Sequence, residues 1–225
     1  MNALPMLAAS EWGLAIASGF VLLLFIIVGY VVIQGTRAQV AWRSRVEAGD
    51  VDAIHALVSD EVNRWKSARR PQNAEPAVWH GVQSAEILEV SPQGVRLSAS
   101  AEGQYALVSG QRREVSSALR EGMKLTAKLT DMILYDIPNV RLPYAQVDIY
   151  STYRDDQGAS QRCILSTRAE REFADDLDWD ELDAEDIVRM LGGRYLLDDR
   201  GNPLPIEVDA PAPNSVPAAF YEDDE

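Results

Sequence analysis

Cysteine is nearly missing from this 225-residue chain: Cys163 stands alone, which excludes an intramolecular disulfide framework and a multi-cysteine zinc site. Histidine is limited to His55 and His80, and lysine to Lys66, Lys124 and Lys128. Little of the usual vocabulary of acid–base and nucleophilic catalysis is therefore present. No Gly-x-Ser-x-Gly, P-loop, Gly-x-Gly-x-x-Gly or His-Glu-x-x-His occurs, and no internal repeat is found. Basic charge is short as well. The chain has 21 Lys and Arg against 35 Asp and Glu, for a net charge of −14. That balance excludes the broad basic footprint of a nucleic-acid binder. No cofactor, no metal and no nucleic-acid partner is expected.

What is present is a long uncharged run. Trp12 to Ile33, WGLAIASGFVLLLFIIVGYVVI, has no charged side chain. As a helix rising about 1.5 Å per residue it would cover roughly 33 Å, enough for a hydrocarbon core of about 30 Å. No basic region precedes it, and no small-residue cleavage site follows, so a cleaved signal peptide fits poorly. The run predicts a retained transmembrane helix over 12–34 behind a short tail, 1–11. That tail has no Lys or Arg, whereas Arg37, Arg43 and Arg45 follow the run. The asymmetry predicts a single-pass protein of the inner (plasma) membrane, with the N-terminus outside and the rest cytoplasmic. Gly13, Ala15, Ala17 and Gly19 form small-xxx-small pairs and are the candidate face for a partner helix. Arg37, Arg43 and Arg45 are the candidate contacts to anionic lipid.

Beyond 34 the charge is graded: net +2 over 37–71, −2 over 72–170 and −13 over 171–225. A juxtamembrane helical segment is expected over 35–71. In it Asp50 caps an amphipathic helix whose stripe is Val51, Ile54, Leu57, Val58, Val62 and Trp65. An α+β domain is expected over 72–202. Its strand candidates are Ala85–Val90, Val95–Ala101 and Gln104–Ser109 as a meander, then Ala145–Tyr153 and Gln161–Thr167 as a hairpin. Together they predict an antiparallel sheet of about five strands. A long amphipathic helix, Val115–Ile133, would cover one face of it. Residues 203–225, with recurring prolines and a terminal Phe220-Tyr221-Glu222-Asp223-Asp224-Glu225, read as a disordered acidic tail.

The chemistry-bearing residues mostly have ordinary readings. His55 lies inside the first amphipathic helix with no ligand at a useful spacing, and His80 neighbours Ser84 and Glu86 in sequence only. Cys163 reads as a small apolar side chain in a strand. Asp176, Asp178 and Asp180 imitate a calcium loop, but Glu181 stands where that loop needs glycine and Ile187 where it needs glutamate. The expected function is therefore a membrane-anchored accessory or scaffolding subunit, working through contacts with other subunits of a membrane complex. The alternatives are an enzyme with an unrecognised site and a lipid-surface or signalling module.

Overall fold

The computed structural model describes residues 17–30, 44–46, 48–155, 158–179 and 181–209. The chain divides into two compact units, 1–48 and 49–225.

The described part of the first unit is a helix over 17–30 (α1) and a helical turn over 44–46. Residues 17–28 of α1 are all exposed, Phe20, Leu22 and Phe25 among them. The expectation of a transmembrane helix is corrected here. Among the described residues, no helix is long and apolar enough to cross a membrane. At 1.5 Å per residue the described stretch of α1 rises about 21 Å, against a hydrocarbon core of about 30 Å. The flanks of the expected span, 12–16 and 31–34, lie outside the described residues, as does the tail 1–11. The single-pass inner-membrane placement, with its outside N-terminus and cytoplasmic body, rested on that span and is withdrawn with it.

The second unit opens with α2, Val51–Ser67. Asp50 caps it, Oδ1 accepting the Ala53 N–H at 3.2 Å. Of its stripe, Ile54, Val58, Val62 and Trp65 are buried, and Val51 and Leu57 are half-buried. Helix α3, Pro76–Gln83, has proline in its first turn, where no backbone N–H is needed. Strands β1, Glu86–Val90, and β2, Gly94–Ser100, form an antiparallel hairpin around Pro92.

The chain then departs from the expected meander. Gln104–Val108 (β3) does not join the sheet. It pairs with Gln111–Ser116 (β4) to form a separate two-stranded ribbon. Ser117 caps the long helix α4, Ala118–Asp131, which a π-turn over Met132–Asp136 continues. The chain returns as β5, Tyr144–Asp155, and β6, Gly158–Glu170.

The sheet is four-stranded and mixed, in the order β1-β2-β5-β6, with β2 and β5 parallel and the other pairs antiparallel. This corrects the five-stranded antiparallel sheet. Two strands joined by a tight turn must be antiparallel, but the connection from β2 to β5 contains a whole ribbon and a helix. That is long enough to bring the chain back to the same end of the sheet. Helix α4 packs on one sheet face, where Gly122 makes room: a Cβ there would stand 3.1 Å from Ile149 Cγ2. Ala145, Val147, Ile149 and Leu165 fill the layer between them.

After β6 come a short turn of helix, α5 (Arg171–Ala174), and α6 (Ala184–Met190). A minimal pair follows, β7 Leu196–Leu197 with β8 Pro203–Leu204. Residues 203–209, which the composition assigned to the tail, run on against the sheet. The Ile206 N–H donates to Cys163 O at 2.9 Å. Residues 210–225 lie outside the described residues.

Candidate functional site

The ribbon β3–β4 has the most exposed apolar surface of the second unit's strands. Its turn is Ser109-Gly110, with φ of 53° and 77°. Two positive φ values in a two-residue loop give the turn whose twist suits a tight hairpin. Alternation puts Tyr105, Leu107, Arg112 and Glu114 on one face, consistent with the pairings Tyr105↔Glu114 and Leu107↔Arg112. The Arg112 guanidinium stacks over the Tyr105 ring at 4.3 Å. Leu107 is 79% exposed, and Tyr105, Val108 and Val115 are exposed too. A lone two-stranded hairpin is marginal in water and needs a third strand or a covering surface. None of the described residues supplies a third strand. The outer edge of β3, Gln104–Val108, carries no charge and no proline, the devices that normally keep an edge from pairing.

The other polar constellation lies inside. On the sheet face away from α4, Arg96 Nε donates to Asp148 Oδ2 at 2.6 Å, and Ser166 Oγ donates to Asp148 Oδ1 at 2.6 Å. Both charged side chains are buried. The chain segment 203–209 crosses this face. Arg96 Nη1 donates to Asp209 O at 2.7 Å, and Tyr153 Oη donates to Pro203 O at 2.6 Å. Cys163 is buried there, its Sγ directed to Leu165 O at 3.4 Å. Burial first, and the Asp148 carboxylate second, push its thiol up to about 11. A thiol so protonated is a poor nucleophile. The network ties β2, β5, β6 and the segment 203–209 together.

His55 faces a cleft of about 550 Å³ between α2 and β1, lined also by Ser59, Asp60, Lys66 and Glu86. Sequence reasoning missed this gathering because Glu86 is thirty-one positions away. Ser59 Oγ and His55 Nδ1 are 3.4 Å apart, one helical turn from each other. Burial lowers the His55 pKa against the opposing pull of Asp52, which favours a neutral ring. His80 is exposed on α3 and does not join the cleft. In the acidic segment, Asp175 accepts from Tyr135 and Arg141, and Asp178 Oδ1 accepts the Glu181 N–H. Asp180 lies outside the described residues. Among the described residues no group of three or more His, Cys, Asp or Glu is placed to hold a metal ion.

Of the small-residue face, Ala17 and Gly19 lie exposed on α1, and a Cβ on Gly19 would meet nothing within 4 Å. Gly13 and Ala15 lie outside the described residues. So do Arg37 and Arg43, while Arg45 is exposed in the 44–46 turn. No family model, curated protein or solved structure matches the chain.

Proposed function

We propose that this protein is an accessory or scaffolding subunit that acts through protein–protein contacts, with the β3–β4 ribbon as its contact surface. One observation carries the reading: thirteen residues fold into a ribbon with its apolar side chains outside, away from the sheet whose core they could have joined. Exposed aromatic and aliphatic side chains beside arginine are the composition of contact centres between proteins. An uncharged strand edge accepts an added strand of a partner through backbone hydrogen bonds.

The test is a photoreactive phenylalanine analogue at Leu107 in the full chain, expressed in its own cells, with the same probe at exposed Asp199 as control. The reading expects one discrete adduct with a second polypeptide from Leu107, none from Asp199, and a several-fold lower yield after Arg112→Gln and Arg113→Gln. Equal labelling from both positions, or none from Leu107, contradicts it.

Catalysis is a second reading, favoured only by the cleft that brings His55 together with Ser59, Asp60 and Glu86. There Ser59 Oγ stands 3.4 Å from His55 Nδ1, longer than the usual hydrogen bond between a nucleophile and its base.

A further inference from the structure

On the second unit, the ribbon combines a cluster of exposed apolar side chains with two adjacent arginines that have no carboxylate partner among the described residues. Elsewhere several cations beside apolar surface are already paired, while a single arginine, Arg200 in the β7–β8 turn, has no carboxylate partner among the described residues. Near exposed Leu196, Leu197 and Leu204, Arg189 pairs with Asp186 at 2.7 Å and Arg194 lies 3.8 Å from Asp209. Near exposed Tyr135, Arg141 pairs with Asp175 at 3.1 Å. The unpaired cations Lys66 and Arg69 flank no exposed large apolar side chain. On the ribbon, Arg112 and Arg113 point to opposite faces, so both faces offer positive charge beside Tyr105, Leu107 or Val108. The ribbon is net positive in a chain of net charge −14.

The complement is found in the chain's own sequence. The described chain stops at Asp209, where the Arg96 bond and the Ile206–Cys163 bond fasten it to the sheet. Sixteen residues follow, with no base and four acids, all at the tip. Extended, they reach at most about 53–58 Å. A body of this length has a radius of gyration of about 15 Å, so the ribbon is within range. Pro211, Pro213 and Pro217 stand in the first half of this segment. Ala218–Glu225 follows, with Phe220 and Tyr221 ahead of Glu222, Asp223, Asp224 and Glu225. Aromatic rings suit the exposed Leu107 and Val108, and the acids suit Arg112 and Arg113.

We infer that the C-terminal tip, 218–225, docks on the β3–β4 ribbon of its own chain and caps it until a partner displaces it. This rests on the reading of the ribbon as the contact surface. Tethering makes the contact intramolecular, with an effective concentration in the millimolar range. Weak complementarity therefore suffices, and an external partner must outcompete it.

The experiment places the photoreactive analogue at Phe220 in the purified full chain without any other protein. The expected result is crosslinks mapping to 104–116 at monomer mass, with a yield independent of protein concentration. Arg112→Gln with Arg113→Gln should lower that yield at least five-fold without altering the unfolding midpoint. Crosslinks elsewhere on the chain, no crosslinks, or adducts only at dimer mass would overturn the inference, the last by naming a second copy as the occupant. If the Phe220 probe fails while the Leu107 probe still captures its discrete partner, the capping idea falls and the contact surface stands. If both probes fail, both fall.

Discussion

Arg96 and Asp148 stand on neighbouring parallel strands, two register positions apart diagonally, and meet at 2.6 Å with side chains only 5% and 0% exposed. A buried pair of this kind is costly to break from one side, because the survivor is left charged and desolvated. Asp148→Asn is expected to lower unfolding free energy by about 3–5 kcal/mol. Replacing both partners with apolar residues, Arg96→Met with Asp148→Leu, should cost far less than the sum of the two single changes. Urea unfolding of the four proteins gives the comparison. A loss in the double variant equal to the sum of the two single losses would show that the pair does not interact as the geometry indicates.

Gly94 begins β2 opposite Tyr144, the first residue of β5. A Cβ at that position would stand 2.5 Å from Tyr144 O, a main-chain atom that cannot swing aside. Gly94→Ala should destabilise by about 1–3 kcal/mol, the usual cost of forced overpacking. Chemical denaturation measures it, and an unchanged midpoint would mean that the two strands are farther apart than described.

Cys163 couples this face to alkaline pH. Its thiol is raised to about 11 by burial and Asp148, from about 8.5 in an unfolded chain. The folded state thus holds the proton more tightly. That stabilisation is complete below about pH 8.5 and is lost as pH rises toward 11. Cys163→Ala should flatten the fall in stability over that window. In the native protein at pH 8, alkylation of Cys163 should be much slower than in denaturant. Rapid native alkylation would contradict the burial.

His55 works in the opposite direction. Burial lowers its pKa, so the unfolded chain takes up a proton first as pH falls below about 6.5. Its share of stability is present above that pH and declines as the pH drops through the lowered value. A His55→Gln variant should lose less stability than the native protein between pH 6.5 and 5, measured by thermal unfolding.

Much of the second unit was legible in the residues. The stripe Ile54, Val58, Val62 and Trp65 and the Asp50 cap are local signals, and each appears where its spacing placed it. The misreadings arose where local pattern and tertiary context diverge. Val115 was assigned to the long helix because its spacing fits that face, yet it lies in β4. The cue to the ribbon was the Ser109-Gly110 pair between Gln104–Val108 and Gln111–Ser116, obscured because Gln111, Arg112, Arg113 and Glu114 lack the branched side chains typical of strands. The parallel pairing of β2 with β5 depends on where a connection of more than forty residues returns, which no local spacing encodes. The Arg96–Asp148 bond joins positions 52 apart and leaves no motif.

The ribbon as contact surface is tested most directly by the size of the native assembly. Released gently from its own cells, the full chain should sediment as part of a larger complex. A Tyr105→Ser, Leu107→Ser variant should sediment as a smaller species with an unchanged unfolding midpoint, since both side chains lie outside the core. If the variant keeps the size of the native assembly, or if the native chain is itself a lone monomer, the ribbon is not what binds this protein to others.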